Sequence, residues 1–166
     1  MVPKKAAISL VVAFVLMNLI DCNLKDDLLN LPQTISASKD GILCILSTEK
    51  QIYELGESLR VDFVIKNISF RRLDIGLSTI SSDFIISIKR GNELVFFWPQ
   101  VVLWACSNLS LEVGESKQYS YTWDSTNNIF DSENYGHCVP PGVYEITMEL
   151  WSYTHRGKVS INIEIK

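Results

Sequence analysis

Apolar and polar residues alternate along most of this chain with a period of two. Leu59, Val61, Phe63 and Ile65 alternate with Arg60, Asp62 and Lys66, and Phe84, Ile86 and Ile88 alternate with Asp83, Ser87 and Lys89. The same spacing returns at Tyr119, Tyr121 and Trp123, at Tyr144, Ile146, Met148 and Leu150, and at Val159, Ile161, Ile163 and Ile165. Side chains in a strand point alternately to opposite faces, so each segment predicts a strand with one buried face. Glycine and proline punctuate the pattern. Glu54-Leu55-Gly56-Glu57-Ser58 leads into one strand and the near copy Glu112-Val113-Gly114-Glu115-Ser116 into another, while Val139-Pro140-Pro141-Gly142-Val143-Tyr144 opens a third. Each places residues that tolerate unusual dihedrals where the chain must turn. Arg90-Gly91-Asn92 predicts a hairpin into Glu93 to Trp98. No segment after the N-terminal apolar run has a helical period. The predicted fold is an all-β, immunoglobulin-like antiparallel β-sandwich, with a closed barrel as the alternative.

The N-terminus breaks this pattern. Lys4-Lys5 precedes an almost unbroken apolar run from Ala6 to Ile20, the charged and apolar regions of an export signal. Asn18 interrupts the run, which is short for a span needing about 20 apolar residues. Leu19-Ile20-Asp21-Cys22 resembles a lipobox with Cys22 as the lipid acceptor, although Asp21 stands where a small residue is normal. A cleaved signal, a lipid anchor at Cys22 and an uncleaved anchor all stay open. The expected organisation is 1–22 as signal peptide or membrane anchor, 23–39 as a polar tether containing Pro32 and Ser36-Ala37-Ser38, and 40–166 as the β domain. The expected location is extracellular or attached to the cell envelope, with the membrane met only through the N-terminal segment.

Charge and cysteines narrow the chemistry. A net charge of −4 argues against binding nucleic acid, which needs clustered Lys and Arg to displace phosphate counterions. In an exported domain, Cys106 and Cys138 are the expected disulfide because both flank the same long connection, and Cys44, between Leu43 and Ile45, is an expected buried thiol. Cys106, Cys138 and His137 lack the spacing of a zinc site. There is no Gly-x-Ser-x-Gly elbow and no phosphate-cradling glycine motif, and neither His137 nor His155 has a patterned nucleophile beside it, so the expectation is a non-enzyme without cofactor or metal.

Two stretches stand out as binding candidates. The connection from Asp124 to Gly142 is long for a sandwich, and loops of that length are often functional. Its residues Asn127, Asn128, Ile129, Phe130 and Asp131 are the candidate partner-binding segment. Its oxygen-rich composition lacks the spacing of a calcium loop. The aromatic stretch Glu93 to Pro99, with Trp104, reads as core at strand positions. The sequons Asn67-Ile68-Ser69 and Asn108-Leu109-Ser110 read as exposed turns.

The order of these motifs resembles a known family. Tyr53-Glu54-Leu55-Gly56-Glu57-Ser58, a strand ending in Asn67, a hairpin through Gly91 into Val95 and Trp98, Leu111-Glu112-Val113-Gly114-Glu115-Ser116, a strand ending in Trp123-Asp124 and Pro141-Gly142-Val143-Tyr144 together resemble the BsuPI-type intracellular proteinase inhibitor domain over roughly Leu43 to Ile165. The resemblance implies an immunoglobulin-like sandwich and a protein partner, a serine proteinase, blocked through an exposed loop. The export signal departs from the family's intracellular name. The competing expectation is a structural or adhesive interaction module that uses a sheet edge or an aromatic patch.

Overall fold

The computed structural model describes residues 31–79, 82–101, 104–130 and 132–166. The leader, Cys22 and residues 23–30 of the expected tether lie outside the described residues. Among those described there is no helix, and the strands are β1 (Gln33–Lys39), β2 (Ile42–Thr48), β3 (Ile52–Tyr53), β4 (Leu59–Asn67), β5 (Leu73–Thr79), β6 (Phe84–Arg90), β7 (Glu93–Trp98), β8 (Trp104–Leu111), β9 (Ser116–Trp123), β10 (Gly142–Leu150) and β11 (Lys158–Ile165). They form one sheet of order β1-β2-β4-β9, a second of order β3-β11-β10-β6-β7, and a ribbon of β5 with β8. All pairings are antiparallel except β3 with β11. The fold is therefore the antiparallel β-sandwich expected from the alternation.

The alternating residues meet between the sheets. Ile42, Leu46, Leu59, Val61, Phe63, Ile65, Ile86, Ile88, Tyr144, Ile146 and Met148 are completely buried. Each fully buried aliphatic or aromatic side chain contributes about 1.5–3 kcal/mol, against about 0–1 kcal/mol for a surface ion pair such as Arg60 with Asp62. Burial of this face therefore fixes the register, because a slip of one residue would turn every apolar side chain outward. Val95 and Phe96 belong to the core and Trp98 packs against it, so the aromatic stretch is mostly core as expected.

Three expectations are corrected. The predicted tether ends earlier than position 39, because Gln33–Lys39 is β1 and pairs along its whole length with β2. Asp40 and Gly41 close this hairpin at φ of 54° and 79°, the left-handed dihedrals that Asp-Gly turns supply. The sequon residue Asn67 is fully buried rather than an exposed turn, and Asn108 is exposed within β8. Asn67 Nδ2 donates to the carbonyls of Arg71 at 2.8 Å and Leu111 at 3.0 Å, and its Oδ1 accepts from the Ser69 N–H at 2.8 Å. It thereby ties the end of β4 to the turn that leads into β5 and to the last residue of β8.

The expected disulfide is the third. Cys106 and Cys138 are free, exposed thiols, and Cys44 is a buried one. Cys106 adjoins Ser107, which pairs with Leu77, and Leu77 bridges to Ser152 just beyond the end of β10. Cys138 bridges to Thr126 and precedes the start of β10. At about 3.3 Å per residue, the nine-residue β10 separates these sites far beyond the ~7 Å Cα limit of a disulfide.

Candidate functional site

The connection between β9 and β10 is not a slack loop. Its two arms are laced as a short antiparallel ladder: Val139 N–H donates to Ser125 O at 2.8 Å, Asn127 N–H to His137 O at 2.9 Å and Gly136 N–H to Asn127 O at 2.7 Å, around the Thr126 and Cys138 bridge. At its root Ser125 is buried at a left-handed φ of 60°, unusual for a residue with a Cβ, and its hydroxyl donates to Glu57 O at 2.6 Å. Trp123 Nε1 donates to Thr126 O at 2.9 Å, so the root is also fastened to the core.

The two asparagines expected to contact a partner instead build the frame. Asn127 is buried; its Oδ1 accepts from Ile129 N–H at 2.9 Å and its Nδ2 donates to Ser132 Oγ at 3.1 Å. Asn128 docks on the outer edge of β7. Its N–H donates to Val95 O at 3.1 Å, its Oδ1 accepts from Phe97 N–H at 2.8 Å and its Nδ2 donates to Phe97 O at 2.9 Å. Gln100 Nε2 donates to Asn128 O at 3.0 Å.

This frame presents aromatic surface. Phe130 is 84% exposed and Tyr135 49% exposed, with ring centroids 5.9 Å apart at 70°, an edge-to-face pair. Beside them lies a groove of about 370 Å³ lined by Phe97, Gln100, Val101, Asn128, Ile129 and the same two rings. Val101, among its lining residues, is 71% exposed and follows the cis peptide that joins Trp98 to Pro99. Asn128 and Gln100 also line a second, more polar groove with Trp98, Tyr121 and Asp124. Burial, and then the Asp124 carboxylate, raise the Tyr121 phenol above its ordinary range.

Of the predicted segment, Asn127, Asn128 and Ile129 are framework, Phe130 is displayed, and Asp131 lies outside the described residues. Sequence reasoning missed Tyr135 and Val101. Tyr135 sits before Gly136, which takes a left-handed φ of 74° where the chain re-enters the ladder, and an aromatic next to such a turn was the available signal. Among the described residues no three His, Cys, Asp or Glu side chains come together as a metal site. The hydroxyl and imidazole pair at Thr154 and His155, 2.9 Å apart, belongs to a turn in which Thr154 Oγ1 accepts from the Gly76 N–H at 2.8 Å.

No family model and no curated protein matches the chain. Among solved structures it is similar to a β-glucosidase from Listeria innocua in complex with isofagomine, at 18% identity and a TM-score of 0.44. It is also similar to a β-glucosidase from Erythrobacter marinus, at 15% and 0.45, and to the CARDB domain of a Pyrococcus furiosus protein in complex with di-metal ions, at 10% and 0.40. Each alignment covers 81% of this chain, but the chain spans only 16% of either glucosidase and 89% of the CARDB structure.

Proposed function

We propose that the chain is a non-enzymatic binding domain, exported or held at the cell envelope by its N-terminal segment, that presents the connection between β9 and β10 to a protein partner. The observation that carries this reading is the 84% exposure of Phe130 on a loop whose backbone is committed to internal bonds and to β7. A large aromatic left in water at the tip of a rigid loop gains most by entering a partner's pocket, and the preformed frame lowers the entropy lost on binding. The resemblance to BsuPI-type domains adds the partner class: a serine proteinase, whose cleft would receive the loop tip.

A panel of serine proteinases tests the reading directly. Inhibition is expected from the wild-type chain, and Phe130→Ala is expected to weaken it by about thirtyfold or more, since truncating a central anchor costs about 2 kcal/mol or more. Exchange of residues 127–137 for a Gly-Ser turn should abolish inhibition while leaving the circular dichroism of the sandwich intact. A chain that inhibits no member of the panel at high micromolar concentration would overturn the proteinase assignment. Partner capture that survives the loop exchange would overturn the loop.

A further inference from the structure

We propose that the outer edge of β1 is a self-association surface, pairing antiparallel with β1 of a second copy of this chain. The other edges of the two larger sheets, β3, β7 and β9, are each guarded. Exposed edges of natural sheets are kept short, charged, bulged or covered, because their free N–H and C=O groups template further strands. β3 has two residues. β7 carries a register shift opposite Ile88 and Lys89, and Asn128 occupies its outer edge. β9 carries Lys117, held to Asp83 at 2.7 Å. Of these guards β1 has a charge only at its last residue, Lys39, beside a groove that Ala37 and Ser38 share with Glu149, Arg156 and Lys158. It pairs with β2 without a bulge, Thr34 to Lys39 are exposed, and Gln33 to Ser38 contain neither a charge nor a proline.

The sequence of β1 suits itself. A two-fold axis at Ser36 sets Gln33 against Lys39, Thr34 against Ser38, Ile35 against Ala37 and Ser36 against its own counterpart. The register with β2 puts Ile35 and Ala37 opposite Leu46 and Cys44, so this apolar pair shares the core-facing side, where Ile35 is still 44% exposed. Thr34, Ser36 and Ser38 share the other side and meet hydroxyl to hydroxyl. Lys39 meets an amide rather than another cation. Such cross-strand pairs contribute about 0.2–1 kcal/mol each, and like charges placed directly opposite would oppose pairing. The symmetric arrangement is closed, as a two-fold dimer requires. One pair of seven-residue strands covers less area than the roughly 1,200–2,000 Å² of a stable interface, so association is weak and rises with concentration. This inference is independent of the proteinase reading.

Cysteine crosslinking tests it in the full chain with Cys22, Cys106 and Cys138 replaced by Ser. Facing Cα atoms in an antiparallel pair are about 4.5–5.5 Å apart, within disulfide reach. Ser36→Cys should form a covalent dimer under mild oxidation about tenfold faster than Thr122→Cys, an exposed control on β9. Adding Ile35→Lys and Ala37→Lys should reduce the rate to the control. Mixing that chain with one carrying Ile35→Glu and Ala37→Glu should restore it, which a variant that merely failed to fold would not do. A Ser36→Cys rate equal to the control, or one indifferent to the lysines, overturns the proposal.

Discussion

The side chain of Asn128 stands in for a neighbouring strand at Phe97. It accepts the Phe97 N–H at 2.8 Å and donates to the Phe97 carbonyl at 2.9 Å, the pair of bonds a strand residue would make there. One residue thus positions the loop and closes the edge of β7. Asn128→Ala is expected to leave both Phe97 groups without these partners and to cost about 1–3 kcal/mol, read as a lower urea midpoint. Hydrogen exchange at Phe97 and at Gly136 should accelerate together. Acceleration at Phe97 alone would show that the loop holds its shape without this contact.

Asn67 and Asn108 carry the same sequon but should respond oppositely to change. Asn67 is fully buried with both amide donor bonds made, so Asn67→Ala should destabilise by about 2–3 kcal/mol. Asn108→Ala, at an exposed strand position, should stay within about 0.5 kcal/mol. Chemical denaturation of the two variants decides. Expressed in a glycosylating host, folded chain should carry sugar at Asn108 and not at Asn67.

Gly157 is closely approached by the core. A Cβ there would lie 2.5 Å from Cys44 Sγ and 3.6 Å from Leu150 Cβ. Gly157→Ala should therefore cost about 1–3 kcal/mol through overpacking. Combining it with Cys44→Ala should recover part of that loss, a coupling of about 0.5 kcal/mol or more in a double-mutant cycle. Strict additivity would show that the clash is relieved by backbone movement instead.

Burial pushes the Cys44 thiol from 9.0 up to about 11. Its contribution to stability is complete below the unfolded value and is lost as pH rises from about 9 towards 11, because the unfolded chain then releases a proton the folded chain retains. Burial, followed by the hydrogen bond to Asp83, raises Tyr119 as well, extending the same loss to higher pH. The urea midpoint should fall across this window, and Cys44→Ala should flatten its lower part. At pH 8, Cys106 and Cys138 should react with a thiol reagent in the native state while Cys44 reacts only on unfolding.

The sandwich was legible because its signal is local: Leu59 to Ile65 and Tyr144 to Leu150 announce their buried face in every second residue. β1 was not, because Gln33 to Lys39 buries neither face and owes its order to hydrogen bonds with β2, which leave no mark in hydropathy. The Asp40-Gly41 turn was the available clue. The site was half legible. The length of the segment from Asp124 to Gly142 marked it, and Phe130 fell within it. Which residues face outward depended on partners distant in sequence, since Asn128 meets Phe97 and Ser125 meets Glu57. The cysteine pairing failed for a related reason: flanking one connection in sequence says nothing about which end of β10 each residue reaches.

The ladder between Ser125 and Val139 has a practical corollary. Because the two arms are already held at strand-pair spacing by the Thr126 and Cys138 bridge, the stretch beyond Asn128 is an interchangeable insert whose anchor points stay put when its contents change, as long as Asn127 and Asn128 are kept. Doubling the length of such an insert costs only about 0.6 kcal/mol in closure entropy. The sandwich can therefore serve as a display scaffold for foreign peptides, with thermal stability nearly independent of what is displayed.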